Sequence, residues 1–385
     1  MRAIVFFEKA CSFYGYICSL IGASLLLIVV GHFIIGAAVY IKHTTQDIFD
    51  NKSHLKTLSG DKREILPVYD DYINSGEFWK EHIEAWNIHF EPYYHWRRDR
   101  FQGKYTNVSN DGVRYTVTQG DIKNAKKIFM FGGSTLWGTG NKDEHTIPSF
   151  LQSMLGKKYK IYNYGETAYV STQEFNYLLY QLAKENVPDA VIFYDGVNDG
   201  YTGVYSPAIP RDVHYLRMRY KNKLQQNIFI KLYNASNYKK LITFFLGSES
   251  ANKWDDEVSP NIKTNSLSVI KFYEAHIKQV KALSKEYGFK AFFFWQPNLF
   301  SQTRDGFPYE DAIIQQASQV FLESQRQVYL DAKLTFSNRE NEYIFFLGDI
   351  FNRIEKPIYI DWCHIGPNGN EIVARWMFDN IKNLL

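Results

Sequence analysis

The sequence predicts an α/β protein: a three-layer α/β/α sandwich around a mostly parallel five-stranded sheet, preceded by one transmembrane helix. From residue 127 onward, short apolar runs alternate with longer segments of helical periodicity. That alternation is typical of a parallel sheet covered by helices on both faces. Before this region lies a long N-terminal run without charged residues, as a membrane-crossing helix requires.

The apolar runs predict the strands, and the segments between them predict the helices. Buried strands are expected at residues 128–131, 160–164, 190–194, 291–295 and 343–347. Helices are expected near residues 146–156, 172–185, 265–287, 310–330 and 367–384. Residues 103–116 alternate polar and apolar side chains around an Asp-Gly pair, which predicts a hairpin.

Residues 1–42 are predicted to be an N-terminal membrane anchor. No Asp, Glu, Lys or Arg occurs between Lys9 and Lys42, and a helical bilayer crossing needs roughly 20 apolar residues. A cleaved signal peptide is the alternative, but its apolar core spans only about 7–15 residues. The length of the run therefore favours a single retained span. Basic residues flank both ends of the run, so their charge does not fix the orientation.

We expect residues 43–120 to form a stalk and N-terminal extension, and residues 121–385 to form the α/β domain. An insertion at about residues 201–262 is too long for a simple connection. Within residues 201–240 there are eight Lys or Arg and one acidic residue. This excess suggests an anionic partner, such as an anionic glycan or lipid headgroups; a solvated basic face explains it equally well.

Overall charge and cysteine content exclude several classes of protein. With 44 Lys and Arg against 41 Asp and Glu, the net charge is +3. That near-balance argues against a nucleic-acid-binding protein, which needs a basic excess. Only one of the three cysteines, Cys363, lies outside the N-terminal run. Neither an internal disulfide nor a zinc-type cysteine cluster is therefore expected in the α/β domain.

The first predicted strand leads into a glycine pair followed by Ser134. A glycine pair lets the chain turn sharply as it leaves the sheet, so this serine is expected at the carboxyl edge. A phosphate-binding loop is excluded because Thr139 stands where that motif needs lysine. The nucleophile elbow of α/β-hydrolases is excluded because Leu136 stands where that motif needs glycine.

Small or amide residues also follow the next two predicted strands, and an Asp–His pair lies near the C-terminus. Gly165 and Asn198 could supply the backbone and amide donors that an oxyanion site needs. Asp361 precedes His364 by three residues. On one turn, the carboxylate can bond one ring nitrogen and leave the other free to accept a serine proton.

This set resembles the SGNH hydrolases, also called the GDSL esterase/lipase superfamily, over roughly residues 125–385. The third block, Gly-x-Asn-Asp at 196–199, and the last block, Asp-x-x-His at 361–364, match outright. In the first block, Gly133 stands where the family name places Asp. The flanking stretch before the domain is similar to that of membrane-anchored members found with bacterial surface-polysaccharide machinery.

The resemblance implies a role for each residue of the set. Ser134 would be the nucleophile, His364 the general base, and Asp361 the residue that orients the histidine. The backbone N–H groups of Ser134 and Gly165, with the Asn198 side chain, would form the oxyanion hole. The family uses no metal or cofactor. Reaction would pass through an acyl-serine.

The predicted function is a serine esterase acting on an acylated glycan or another ester, in a single-pass membrane protein whose catalytic domain is periplasmic or otherwise extracytoplasmic. Removal or transfer of acetyl or other short acyl groups on a carbohydrate or polysaccharide is favoured. If water accepts the acyl group, the protein is an acetylesterase; if a sugar hydroxyl accepts it, the protein is an O-acyltransferase. A lipid esterase or thioesterase, and a non-catalytic membrane-anchored scaffold in polysaccharide assembly, are the alternatives.

Two tryptophans are candidates for substrate binding by their position. Trp137 and Trp362 each lie within three residues of a predicted catalytic residue. We hypothesise that both border the pocket. The insertion at 201–262 directly follows the third block, so it is expected to overhang the site as a lid.

Overall fold

The computed structural model describes residues 2–50, 58–70, 75–118, 120, 122, 124–204, 261–303 and 306–385. These residues fall into two units, one containing the N-terminal helix and the other the chain from Leu58 onward. The basic residues of the predicted 201–240 stretch, and nearly all of the predicted insertion, lie outside the described residues. The anionic partner and the lid therefore stay predictions.

The N-terminal unit contains one long helix, α1 (Arg2–Asp50). Its segment Ser12–Gly36 comprises 25 residues with a mean hydropathy of 2.4. By length and composition this segment can cross a membrane. An N-terminal signal sequence meets the same criterion.

The second unit contains the remaining elements. Its helices are α2 (Ser75–Glu84), α3 (Ser134–Trp137), α4 (Ile147–Leu155), α5 (Ser171–Ala183), α6 (Val197–Gly203), α7 (Ile262–Tyr287), α8 (Pro308–Gln316), α9 (Gln319–Phe336) and α10 (Pro367–Ile381). Its strands are β1 (Ile88–Glu91), β2 (His95–Arg98), β3 (Phe101–Gln102), β4 (Asn107–Val108), β5 (Lys126–Gly132), β6 (Tyr159–Asn163), β7 (Ala190–Asp195), β8 (Lys290–Trp295) and β9 (Ile344–Phe346).

The central sheet has the strand order β6-β5-β7-β8-β9, and every neighbouring pair is parallel. The prediction of a parallel five-stranded sheet is confirmed, with each strand within two residues of its predicted bounds. The chain runs from β5 to β6 on one side and then to β7 on the other. This reversal of direction at β5 creates a crevice at the carboxyl ends of the strands, where open α/β sheets bind ligands.

Apolar side chains alternate between the two faces of the sheet and build a core on each side. On one face, Phe193 stacks between Phe131 and Phe293, with ring centroids 5.3 and 5.6 Å apart. This face packs against side chains from α5, α7 and α9. The opposite face, which includes Ile128, packs against α4 and α10. Helices on both faces give the predicted three-layer arrangement.

Two local predictions have different outcomes. The hairpin is confirmed: Val108 and Arg114 form an antiparallel bridge, and Gly112 in the turn has a φ of 69°. The single helix expected at 310–330 is wrong, because the chain there forms α8 and α9. Ser318 separates them, since its side chain accepts a hydrogen bond from the Phe321 N–H at 3.2 Å and so caps α9.

The described residues after Leu58 do not form the stalk predicted for residues 43–120. Val68, Phe78 and Trp79 are buried in a small core that they share with Ile360, just before the predicted catalytic Asp–His pair. The segment belongs to the same unit as the sheet. Its many charged residues suggested solvent exposure, but several of them are buried in ion pairs with the α/β domain.

Candidate active site

Ser134 lies at the carboxyl end of the central sheet. Strand β5 ends at Gly132, Gly133 caps the next helix, and Ser134 is the first residue of α3. A residue at this position has a backbone N–H without an intrahelical acceptor. The serine is only 8% exposed, and its backbone is held by the turn.

His364 connects Ser134 to Asp361 through two short hydrogen bonds. The His364 Nε2 lies 2.7 Å from the Ser134 Oγ. On the other side of the ring, Nδ1 lies 2.7 Å from the Asp361 Oδ2. Ser134 precedes His364 by 230 residues, and yet Ser134, His364 and Asp361 form a continuous hydrogen-bonded series. This geometry can move a proton from the serine hydroxyl to the imidazole.

Asp361 is held by its own loop. Its Oδ1 accepts hydrogen bonds from the backbone N–H groups of Cys363 at 3.0 Å and His364 at 2.8 Å. Burial raises the pKa of the Asp361 carboxyl, but the charge and hydrogen bond of His364, with the backbone donors, outweigh burial and place that pKa well below its usual range. The carboxylate is therefore ionised and fixed in orientation.

The loop carrying this pair is a tight turn. The Ile360 N–H donates to the His364 carbonyl at 2.8 Å, and the Gly366 N–H donates to the Ile358 carbonyl at 2.8 Å. Directly afterwards α10 begins at Pro367, a residue that favours the first helical turn. The turn and the helix together fix the imidazole over Ser134.

Asn198 lies in the first turn of α6, beside the Ser134 turn. Its Nδ2 donates one hydrogen bond to the Tyr169 carbonyl at 2.7 Å, which leaves the second amide hydrogen for another acceptor. A Cβ atom added at Gly133 would lie less than 3.0 Å from this Nδ2. A side chain at position 133 would therefore displace the end of the Asn198 amide.

The structure places Gly165 beside α3 but does not leave its N–H open. A Cβ at this position would lie 2.7 Å from the backbone nitrogen of Trp137, so only glycine fits there. The Gly165 N–H donates to the Asn163 Oδ1 at 3.0 Å. A buried amide side chain thus accepts this hydrogen in the structure, and the role of the Gly165 N–H towards an oxyanion stays a prediction.

The two tryptophans have different environments. Trp137 is fully buried, and its ring lies between the guanidinium carbons of Arg98 and Arg114, at 3.7 and 4.2 Å from the ring centroid. The hypothesis that Trp137 borders the pocket is wrong, since its side chain supports the Ser134 turn from behind. Trp362 is partly exposed and stacks on Phe300 at 5.7 Å, so its role at the pocket stays a prediction.

Sequence reasoning missed a cation beside the Asp–His pair. The Arg63 guanidinium, from a 3-10 helix at Lys62–Ile65, lies 3.7 Å from the Asp361 Oδ2. No spacing rule connects two residues so far apart in the chain. An Asp two residues before an Arg carries no signal of a role at the site.

A buried cluster of acidic side chains was also missed. Glu174, Asp195 and Asp199 are each buried near the carboxyl end of β7. The Ser171 Oγ donates to the Asp199 Oδ1 at 2.6 Å, and the Tyr273 hydroxyl donates to the Asp195 Oδ2 at 2.8 Å. Burial raises the pKa of all three carboxyls, and the charge of the neighbouring acids raises those of Glu174 and Asp195 further.

Asp361, Cys363 and His364 also offer ligand atoms within 4.8 Å of one another, which is close enough to hold a metal ion. The His364 Nδ1 is, however, hydrogen-bonded to Asp361. Burial raises the pKa of the Cys363 thiol well above its usual range, whereas metal binding needs a thiolate. The arrangement suits proton transfer better than metal binding.

A family model described as GDSL-like lipase/acylhydrolase matches residues 128–377, more than half of the chain. A search of curated proteins found no match.

Similar solved structures include two from Sinorhizobium meliloti. One is a carbohydrate acetylesterase family member at 15% identity and a TM-score of 0.36, covering 68% of this chain and 99% of its own. The other is a carbohydrate acetylesterase at 14% identity and a TM-score of 0.38, covering 68% of this chain and 100% of its own. An acetyl xylan esterase is similar at 15% identity and a TM-score of 0.32, covering 66% and 99%.

Proposed function

The chain belongs to the GDSL-like lipase/acylhydrolase family, and on that premise we propose that it is a serine acylhydrolase acting on short acyl esters of a carbohydrate. The observation that carries the proposal is the series from the Ser134 Oγ through His364 to Asp361, with 2.7 Å at each step. A serine alone is a weak nucleophile at neutral pH, and an adjacent base oriented by a carboxylate activates it.

The reaction follows from these contacts. As the Ser134 Oγ attacks the ester carbonyl, its proton passes to the His364 Nε2. The protonated imidazole, stabilised by Asp361, then gives this proton to the departing alcohol oxygen. An acyl-serine ester remains. Water or a sugar hydroxyl attacks that ester with His364 again as the base, which releases the acyl group and restores the serine.

The negative charge that develops on the carbonyl oxygen needs donors fixed in advance. Two groups can supply them: the N–H of Ser134 at the start of α3, and the second amide hydrogen of Asn198. The Gly165 N–H becomes a third donor only if it exchanges the Asn163 oxygen for the substrate oxygen. We expect Ser134 and Asn198 to carry most of this stabilisation.

A carbohydrate ester as the substrate is supported by the aromatic surroundings of the histidine. Trp362, two residues before His364, is partly exposed and contacts Tyr201 and Phe321 with ring centroids 6.0 and 5.2 Å away. Aromatic rings at a site edge offer flat apolar faces of the kind that sugar rings stack against. We propose that this cluster receives the sugar ring that carries the ester.

A lipid ester is the second candidate, with which the apolar segment Ser12–Gly36 is compatible. If retained, that helix would hold the site near a bilayer. Polysaccharide machinery at a membrane would also bring an acylated glycan close to an anchored site, so membrane anchoring does not distinguish a lipid from a glycan substrate. The preferred length of the acyl chain does distinguish them.

The test is ester hydrolysis by the full-length protein in detergent. Aryl acetate is compared with longer aryl esters, and acetate release is measured from an acetylated polysaccharide, with and without added sugar acceptors. Ser134→Ala should abolish turnover, whereas Ser268→Ala, on the surface of α7, should match wild type. A preference for long acyl chains would contradict the carbohydrate substrate and favour a lipid ester. If the folded protein turns over no ester, the acylhydrolase proposal is contradicted, and a non-catalytic membrane-anchored scaffold remains as the interpretation.

A further inference from the structure

We propose that Arg63 is a positioning residue for the Asp361/His364 pair, supplied to the site by the N-terminal segment that precedes the α/β domain. The inference rests on the proposed function, because it concerns the base of the same reaction. It extends the hydrogen-bonded series of Ser134, His364 and Asp361 by one charged group.

The Arg63 guanidinium contacts the Asp361 oxygen that is hydrogen-bonded to His364. Its Nη1 lies 3.7 Å from the Asp361 Oδ2, and the same Oδ2 accepts the hydrogen bond from the His364 Nδ1 at 2.7 Å. The other oxygen of Asp361 is occupied by two backbone N–H groups. The carboxylate thus lies between the imidazole and the guanidinium, and it cannot turn away from His364 without losing these contacts.

The position of Arg63 is itself fixed by three further contacts. Its Nε and Nη2 donate to the two oxygens of Asp61 at 3.1 and 2.8 Å, a bidentate pair. Asp61 also accepts the Arg63 backbone N–H at 2.9 Å, which caps the 3-10 helix. The guanidinium carbon lies 4.4 Å from the centroid of the buried Trp79 ring. Bidentate pairing and ring contact restrict the guanidinium to one geometry.

A fixed positive charge here opposes protonation of the His364 ring. Among the described residues, the charged or titratable groups around the pair include Asp361 and the Cys363 thiol on the loop of His364 and His82 of α2. The N-terminal segment adds Arg63, Asp61 and Tyr69, whose pKa is raised by burial so that its hydroxyl is neutral. Burial lowers the pKa of His82 well below its usual range, with nearby arginines adding to the effect, so that ring is neutral. Burial raises the pKa of the Cys363 thiol, so it is neutral as well.

Two of these charges are negative and one, Arg63, is positive. Without the guanidinium, the two carboxylates would act on the imidazole unopposed. With it, the Asp361 carboxylate still orients the ring, while one positive charge offsets one of the two negative charges nearby. The N-terminal segment therefore contributes to the electrostatic surroundings of the catalytic pair.

The test is the pH profile of kcat/KM for aryl acetate, measured on the full-length protein with Arg63→Gln, Arg63→Lys and Asp61→Asn. Arg63→Gln removes a positive charge that contacts the same Asp361 oxygen as the imidazole, so the low-pH limb of the profile should move up by roughly 0.5–1 pH unit. Asp61→Asn keeps an oxygen that can cap the helix but removes a negative charge. Its acid limb should move down, by a few tenths of a unit. Arg63→Lys should restore most of the wild-type position.

The opposite shifts of the low-pH limb expected in Arg63→Gln and Asp61→Asn distinguish an electrostatic role of Arg63 from a structural one. A loose N-terminal segment would lower turnover equally at every pH and in both variants. Unmoved acid limbs, or limbs that move in the same direction, would overturn the inference even with full Ser134-dependent activity. Loss of activity in Ser134→Ala is read separately and tests the proposed function alone. If Arg63→Gln does not fold, the direction of the Asp61→Asn shift decides.

Discussion

The space at Gly133 gives a quantitative prediction about the Asn198 amide. A Cβ atom at this position would lie less than 3.0 Å from the Asn198 Nδ2, whereas the next nearest atom, the amide carbon, would be 3.5 Å away. The backbone of Gly133 has a φ of −79°, which every residue type tolerates. Gly133→Ala should therefore fold normally and displace the end of the Asn198 side chain.

The expected cost is that of one oxyanion donor. Removing such a donor lowers kcat about 10²–10³-fold, or about 2.7–4 kcal/mol. The KM should change little, because the donor acts on charge that develops in the transition state. The hydrogen bond from Asn198 to the Tyr169 carbonyl would also be lost, so the free energy of unfolding should fall by about 1 kcal/mol.

A double-mutant cycle tests whether the two residues act through the same group. Asn198→Ala should lower kcat for aryl acetate by a similar factor. The double variant Gly133→Ala/Asn198→Ala should be no slower than Asn198→Ala alone, because the amide is already absent. As a matched control, Gly22→Ala adds a Cβ with no atom within 4 Å and should leave turnover unchanged. Wild-type turnover in Gly133→Ala, or losses that multiply in the double variant, would refute the reasoning.

Three other changes have defined outcomes. Asp361→Asn should lower kcat roughly 10³–10⁴-fold at an unchanged melting temperature, because the imidazole loses its orientation; a loss under tenfold would contradict this. Burial raises the pKa of Asp195 to about 7, so its contribution to stability is present at low pH and is lost as the pH rises towards 7. Asp195→Asn should flatten that decline in denaturant titrations across pH, and an unchanged decline would exclude it as the cause. Arg98→Met would leave Glu166 buried without its 3.2 Å partner and should lower the free energy of unfolding by about 3–5 kcal/mol; a drop below about 1 kcal/mol would contradict the pairing.

The central sheet could be predicted from the sequence because its strands are buried on both faces and so appear as continuous apolar runs. Ser134 and Asn198 could be placed because they directly follow two of these strands. The Asp361/His364 pair could be placed because its spacing has a mechanical reason. Each of these signals is local in the sequence, within a few residues.

The N-terminal segment could not be predicted in the same way. Arg98 lies in a stretch rich in charged and aromatic residues, which is typical of a solvated surface. In the structure it is fully buried, because Glu166, 68 positions later, accepts its Nε hydrogen at 3.2 Å. Arg114 is buried in the same way against Asp143, at 2.9 Å. Ion pairs between distant residues leave no periodic pattern in the sequence.

The same limit explains the incorrect prediction for Trp137. Its closeness to Ser134 in sequence suggested a pocket wall. The first turn of α3 instead points this side chain away from the site and between two guanidinium groups. A position near a nucleophile therefore does not establish contact with substrate, because successive residues of a helix face different directions.

The most direct test of the serine acylhydrolase is the site of covalent modification. The full-length protein would be treated with a fluorophosphonate, which reacts with activated serines, and the adduct located by peptide mass spectrometry. The structure predicts a single adduct on Ser134, formed at the rate at which ester hydrolysis is lost and nearly absent in His364→Ala. An adduct on another serine, or ester turnover that persists with Ser134 fully modified, would contradict the account.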